Sequence, residues 1–367
     1  MPDRREFLKE AAAGLVFVGC RPLAALAQSR ADGRRTTHAP IEIRGRRIRT
    51  VDIHAHCAVP GAAALLEQQV SPAALVLGGE PLSERLAHMD AQGIDIAVLS
   101  INPNWYATGR DIASQAITIQ NEALAEFCAT HADRFAAFAS VALQFPDLAA
   151  EQLEHAVTRM GLRGAAIGGS VAGQELADPT FHPFWAKAEE LGAVVFIHPQ
   201  GSAAGGFSNR LRGNGPLSVM LWNPIETSVA LTHLIFEGTL DRFPGLKICA
   251  AHGGGYLPSY MNRSDESCQV FPEQCKPGVP RLHPTEYLKR LYYDSLVFTP
   301  EGLRHLAAEV GASQIMMGTD YPYPWAREPV EHILATAGLS DVEREAMLGG
   351  TAAALLHLSG ENRARNE

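Results

Sequence analysis

The chain carries no surplus of positive charge: 31 lysines and arginines stand against 40 aspartates and glutamates, for a formal net charge of -9. A nucleic-acid partner, which needs a basic face, is disfavoured on that ground. Charged residues make up only 19% of the chain and hydrophobic ones 46%, which excludes a disordered protein. The apolar stretch from Ala11 to Gly19 is too short to span a bilayer, so no transmembrane segment is expected. The six cysteines include no CxxC pair, which argues against a structural zinc ribbon. Internal repeats are absent, as are low-complexity tracts beyond the first residues.

Those first residues read as a leader. Arg4-Arg5-Glu6-Phe7-Leu8-Lys9 resembles a twin-arginine export motif, the apolar stretch follows it, and Ala25-Leu26-Ala27 offers a small-x-small cleavage site before Gln28. This predicts a signal peptide over residues 1–27, export by the twin-arginine machinery and a periplasmic or secreted protein. Lipoprotein anchoring at Cys20 ranks lower, because Phe17 is bulky for the position three before a lipidated cysteine. Residues 28–46 are polar and arginine-rich and read as a linker or a short edge hairpin. Residues 47–360 are expected to form a single catalytic domain, with 361–367 as a tail. Cys268 and Cys275 flank a short polar loop and could pair in an oxidising compartment. Cys57, Cys128 and Cys249 fall in or beside predicted core elements and should pack as small apolar groups.

Eight short apolar strands are predicted, at 49–55, 95–101, 135–141, 164–169, 193–198, 247–252, 291–296 and 314–319. Near-continuous apolar runs such as Ile96-Ala97-Val98-Leu99 and Ala193-Val194-Val195-Phe196-Ile197 mark parallel strands buried on both faces. Between them lie helical patterns over Ile112–His131, Asp147–Met160 (with Asp147 at the N-cap), Phe181–Leu191, Ile225–Phe243 and Pro300–Val310. Two more follow, over Pro329–Ala337 and Asp341–Leu358. Strict alternation implies α/β architecture, and eight strands imply closure into a (β/α)8 TIM barrel. The long segments 57–84 and 199–224, after the first and fifth strands, are expected to cover a substrate.

A barrel of this kind places its chemistry at the C-terminal tips of its strands. His54 and His56, two apart on the first strand, project to one face. His198 ends the fifth strand and Asp320 follows the eighth. Three imidazoles and a carboxylate suit one divalent metal with a position left open, zinc first and manganese second. A bridged pair of metals would use a carboxylated lysine at the end of the fourth strand. That strand reads Gly164-Ala165-Ala166-Ile167-Gly168-Gly169-Ser170, and the nearest lysine, Lys187, falls on a predicted helix. One metal is therefore expected. His252, opening the run His252-Gly253-Gly254-Gly255, is either a fifth metal group or an acid/base beside the metal. The second reading is preferred because the metal already has its protein ligands without it. Asp320 can serve the metal and the proton transfer together. Asp294, closing the seventh strand, either orients a ligand histidine or caps a turn. Arg263 can meet a substrate carboxylate through its planar fork.

Taken together, Asp52-Ile53-His54-Ala55-His56, Met89-Asp90-Ala91-Gln92-Gly93-Ile94-Asp95, Ile197-His198-Pro199, His252-Gly253-Gly254-Gly255, Tyr293-Asp294-Ser295 and Gly318-Thr319-Asp320-Tyr321-Pro322-Tyr323-Pro324 resemble the amidohydrolase superfamily. The likeness is to its branch of muconate-semialdehyde and resorcylate decarboxylases, over roughly residues 48–358. The resemblance implies one zinc or manganese ion at His54, His56, His198 and Asp320, with His252 as acid/base. It also implies a homodimer, in which an arginine matched by Arg263 crosses the interface. Within the last motif Tyr323 is a candidate substrate contact. Two departures stand out: residues 57–84 contain no arginine, the next being Arg85, and Gln200 follows His198-Pro199 where the branch often has tryptophan.

The expected activity is non-oxidative decarboxylation of a small aromatic or unsaturated carboxylic acid. Metal-dependent hydrolysis of a lactone, ester or amide is the alternative on the same site. A barrel that only binds its ligand would be expected to lack one of these groups, and none is missing.

Overall fold

The computed structural model describes residues 38–69, 75–77, 82–200, 210–276 and 278–358. The leader over residues 1–27, with Cys20, lies outside the described residues, as do the tail 361–367 and the glycines Gly201, Gly205 and Gly206. The described chain opens with an antiparallel hairpin of β1 (Ile41–Ile43) and β2 (Arg46–Ile48). The stretch read as a linker or a short edge hairpin thus leads into a hairpin at its C-terminal end.

Two parallel sheets follow. In the first, β3 (Val51–Ala58) is flanked by β4 (Leu75–Val76) and β5 (Ile96–Ser100), and β5 by β6 (Phe135–Ala137). The second begins with β7 (Gly164–Ile167). A small hairpin of β8 (Ser170–Val171) and β9 (Gln174–Glu175) comes next in sequence. The sheet continues through β10 (Val194–Ile197), β11 (Lys247–Ala250), β12 (Tyr292–Asp294) and β13 (Ile315–Met316) in spatial order. Backbone hydrogen bonds cross between the sheets at both margins. Ile53 N–H donates to Met317 O at 2.9 Å, and Ala139 N–H to Gly164 O at 2.8 Å. Because neighbouring strands run parallel, their C-terminal ends share one edge.

The strands bury both faces, as their composition demands. Val51, Ile53, Ile96, Val98, Phe138, Val194, Phe196 and Met316 belong to one apolar cluster. Ala55, Cys57, Ala97, Leu99, Val195 and Ile197 belong to a second, shared with the helices. Alternation is regular on β5 and β10 but not on β3. There Val51 and Ile53 face the first cluster and Ala55 and Cys57 the second. The register with β5 shifts between Asp52 and Ala55. This bulge lets His54 follow Ile53 on the same side and leaves Asp52 on the other.

Helices cover the sheets with several departures from the pattern. Asp147 is not a cap: the helix runs Pro146–Thr158 with Phe145 at its N-cap, because Pro146 occupies the first turn, where its missing N–H costs nothing. Asp147 instead pairs with Arg110 at 2.7 Å. The helix expected over 225–243 breaks into Asn223–Phe236 and Thr239–Arg242 at Gly238, which has a φ of 81°. The helix expected over 341–358 is likewise interrupted by a wider turn at Ala346–Gly350. Segment 57–84 holds a short helix, Pro60–Leu65. A helix over Leu257–Val270 carries Arg263. Cys57 and Cys249 are buried and Cys128 partly so, while Cys268 and Cys275 form a disulfide. Among the described residues no helix is long and apolar enough to cross a membrane.

Candidate metal centre

Four side chains from three strands converge at the shared edge. The donor atoms of His54, His56, His198 and Asp320 all lie within 4.8 Å of one another, and all four residues are buried. His54 Nε2 and His56 Nε2 are 3.1 Å apart, and His56 Nε2 stands 2.9 Å from Asp320 Oδ1. His54 Nε2 is 3.2 Å from the same oxygen. Ligand bonds of about 2.0–2.2 Å put adjacent donors of one cation roughly 3 Å apart, so the spacing fits. His198 turns a buried Nδ1 without a hydrogen-bond partner among the described residues, a group that burial leaves costly unless a ligand takes it.

The electrostatics ask for a cation. Burial by itself would lower His54, but the carboxylates of Asp320 and Asp294 carry it up to about 10. Burial would raise Asp320, yet the His54 charge and hydrogen bonds from His252, His54 and His56 hold it well below the ordinary carboxylate range. Asp294 is likewise brought down against its burial, by His54 first. His56 is lowered by burial, and His198 well below its ordinary value by burial and the neighbouring rings. Without a metal, the two carboxylates thus favour the cationic form of His54, and a divalent ion would supply positive charge in the same place.

Second partners orient the rings. His54 Nδ1 meets Asp294 Oδ2 at 2.7 Å, which leaves Nε2 for the centre. The same carboxylate accepts the backbone N–H of His252 and of Gly253, each at 2.8 Å. Asp294 therefore orients a donor histidine and holds the His252 turn as well. His56 Nδ1 rests 3.3 Å from Ser100 Oγ. Gly318 makes this fit possible: a Cβ there would stand 2.9 Å from Asp294 Cβ and 3.1 Å from His54 Cβ.

His252 and Asp320 both have positive φ, 56° and 60°, a backbone region costing non-glycine residues about 1–3 kcal/mol. The twist brings His252 Nε2 to 3.4 Å from Asp320 Oδ2. The strained pair sits where a proton would have to move. Tyr323, half exposed, places its ring 6.1 Å from that of His56. Arg263 is exposed on its helix, and among the described residues no hydrogen bond or ion pair ties it to the centre. Lys187 bonds Glu154 and Glu190 on the helical layer, away from the fourth strand's tip.

Several supporting residues gave no sequence signal. Ser100 is a serine at a strand end like many others. Glu226, buried on its helix, accepts the Gln200 N–H through both oxygens, at 3.1 and 3.0 Å. It thereby anchors the chain just after His198. Asp52 could have been suspected from its place in the His-rich strand, but its partners Thr319 and Arg85 are far off in sequence.

The chain is similar to known proteins. The family model described as Amidohydrolase matches residues 51–358. The 2-amino-3-carboxymuconate-6-semialdehyde decarboxylase of Dictyostelium discoideum is 31% identical over 75% of this chain and 76% of its own length. The gamma-resorcylate decarboxylase of Rhodococcus jostii (strain RHA1) is also 31% identical, over 74% of this chain and 86% of its own. The crystal structure of 5-carboxyvanillate decarboxylase from Sphingomonas paucimobilis superposes with a TM-score of 0.76 and 25% identity. That match covers 85% of this chain and all of the other.

Proposed function

The chain belongs to the amidohydrolase family, and from that premise we propose that it is a metal-dependent, non-oxidative decarboxylase of a small aromatic or unsaturated carboxylic acid. The observation that carries the reading is the buried convergence of His54, His56, His198 and Asp320 with His252 alongside, in a chain whose relatives are named as decarboxylases.

The four donors would hold one divalent cation, which when bound supplies positive charge to polarise a substrate oxygen. Zinc is our first choice and manganese the second, because imidazole donors favour zinc while one carboxylate suits either. In the reaction the bond from carbon to carboxylate breaks, its electron pair stays on the carbon, carbon dioxide leaves and the carbon takes one proton. His252 moves that proton, and Asp320, 3.4 Å away, holds the imidazole in place for the transfer. Tyr323 borders the substrate, and Asp294 keeps His54 and His252 in register.

The finer architecture follows from the same premise. We take the two parallel sheets as halves of a closed (β/α)8 barrel, supported by the hydrogen bonds at both margins, with the described parts of the segments after β3 and β10 over the substrate. Residues 47–360 form the catalytic domain. We also assign a homodimer. The helix bearing Arg263 exposes Tyr260 and Val270, Tyr256 just before it is exposed, and so is Met220, whose carbonyl accepts the Tyr256 hydroxyl, an apolar surface of the sort subunits cover, and Arg263 would reach the neighbouring site. Export by the twin-arginine machinery to the periplasm or beyond remains our reading of residues 1–27. The Cys268–Cys275 disulfide supports an oxidising compartment.

The test is a panel of carboxylated phenols, muconates and lactones given to metal-loaded protein, with carbon dioxide release followed. Release from one acid class is expected. Hydrolytic opening of a lactone, with no carbon dioxide from any acid, would instead assign the site to hydrolysis.

A further inference from the structure

Behind the metal centre lies a charge that the chemistry does not use. Arg85, on the helix Leu82–Ala91, is only 1% exposed. A guanidinium taken out of water is costly unless its surroundings repay it. Its surroundings are Asp52, whose Oδ2 is 3.9 Å from Arg85 Nη2, and the ring of Tyr321, whose centroid lies 3.7 Å from the guanidinium carbon. Both neighbours grip the strand ends that bear the donors. Asp52 Oδ1 accepts the N–H of His54 at 3.1 Å and of Thr319 at 3.0 Å. Asp52 Oδ2 accepts the Thr319 hydroxyl at 2.6 Å. Tyr321 O accepts the His56 N–H at 2.7 Å, and Tyr321 N–H donates to Thr319 Oγ1 at 3.1 Å.

Between Thr319 and Tyr321 sits Asp320, with its φ of 60°. A left-handed aspartate persists only where its flanks over-determine it. Here one flank is tied to Asp52 and the other is stacked under Arg85. We propose that Asp52, Arg85 and Tyr321 form a positioning unit that clamps Asp320 in this conformation. The unit aims the Asp320 carboxylate at His54 and His56, and so sets the affinity and geometry of the metal site from the side facing away from it. Arg85 has Asp52 and Tyr321 as its partners, not the donor atoms. It acts through Tyr321 and Asp52: a planar cation can stack on the ring while neutralising the buried carboxylate.

The inference rests on the metal reading of the site but not on which reaction follows. The test loads metal-free protein with cobalt(II). It measures the dissociation constant by chelator competition, the visible absorption of the bound ion, and the melting temperature of the metal-free form. Arg85→Met should weaken cobalt binding by about 10–100-fold, the range for outer partners of metal ligands, and shift the absorption bands. Arg85→Lys, which keeps charge without a planar fork, should fall between. Tyr321→Phe should match the parent, whereas Tyr321→Leu should behave like Arg85→Met and decides the matter should that variant not fold. Unchanged affinity and unchanged bands, with only a lower melting temperature, would make the unit simple packing and overturn the proposal. Parent protein that binds no stoichiometric ion would sink the metal reading itself.

Discussion

The two sides of the metal centre are built in different ways. On the β3 and β13 side every donor has a second tether. His54 leans on Asp294, His56 on Ser100, and Asp320 is held in strained backbone between Thr319 and Tyr321. On the β10 side His198 extends from the end of a regular strand, with a buried Nδ1 lacking a partner among the described residues. One side is pre-organised by buried charge and hydrogen bonds, the other by strand geometry and by the Glu226 anchor two residues on. A centre built this way should lose most when the tethered side is cut, because a displaced ligand there releases strain and leaves buried carboxylates without their cationic partner.

The largest effect is expected at the tethered carboxylate. Asp320→Asn should abolish stoichiometric metal binding, read by elemental analysis, and His198→Ala should leave weak residual binding. Equal residual metal in the two variants would erase the asymmetry. Next comes His252→Ala, which should keep the metal and lower turnover by about 100–10,000-fold, the usual worth of a positioned acid/base. Loss of metal in step with turnover would move His252 into the donor shell. Asp294→Asn should weaken metal affinity by about 10–100-fold, because it loosens His54 and the His252 turn together. Ser100→Ala, which removes one 3.3 Å contact to His56, should stay below about 10-fold.

The pH dependence sharpens the same contrast. His54 is raised from its ordinary value to about 10 in the metal-free protein. Its pairing with the two carboxylates therefore stabilises that form fully below about pH 6.5 and fades as pH climbs towards 10. A metal must displace that proton, so apparent affinity should rise by about one decade per pH unit through this window. Titrations in buffers of different ionisation enthalpy should show one proton released. A flat profile would mean His54 is neutral before the metal arrives.

Much of this was legible in advance, for a physical reason. Apolar runs buried on both faces located eight of the nine parallel strands among the described residues to within a few residues, missing only the two-residue β4, and histidine and aspartate at their tips marked the candidate donors. What failed was local punctuation. Pro146 rather than Asp147 opened its helix, and Gly238 divided another. The helix Leu257–Val270 was not anticipated, its sequence being largely polar. The bulge in β3 was equally hidden: a strict two-residue period cannot put Ile53 and His54 on one side.

The sequence alone determined the chemical inventory and the order of its delivery: parallel strands, donors at their ends, and a histidine before a glycine run. Those features are encoded in residue type and in spacing along single segments. Only the tertiary structure decided which groups back the centre. The partners of His54, of Asp52 and of Tyr321 lie 240, 267 and 236 residues away, respectively, at Asp294, Thr319 and Arg85. Such pairings exist only once the sheets have met and removed those charges from water.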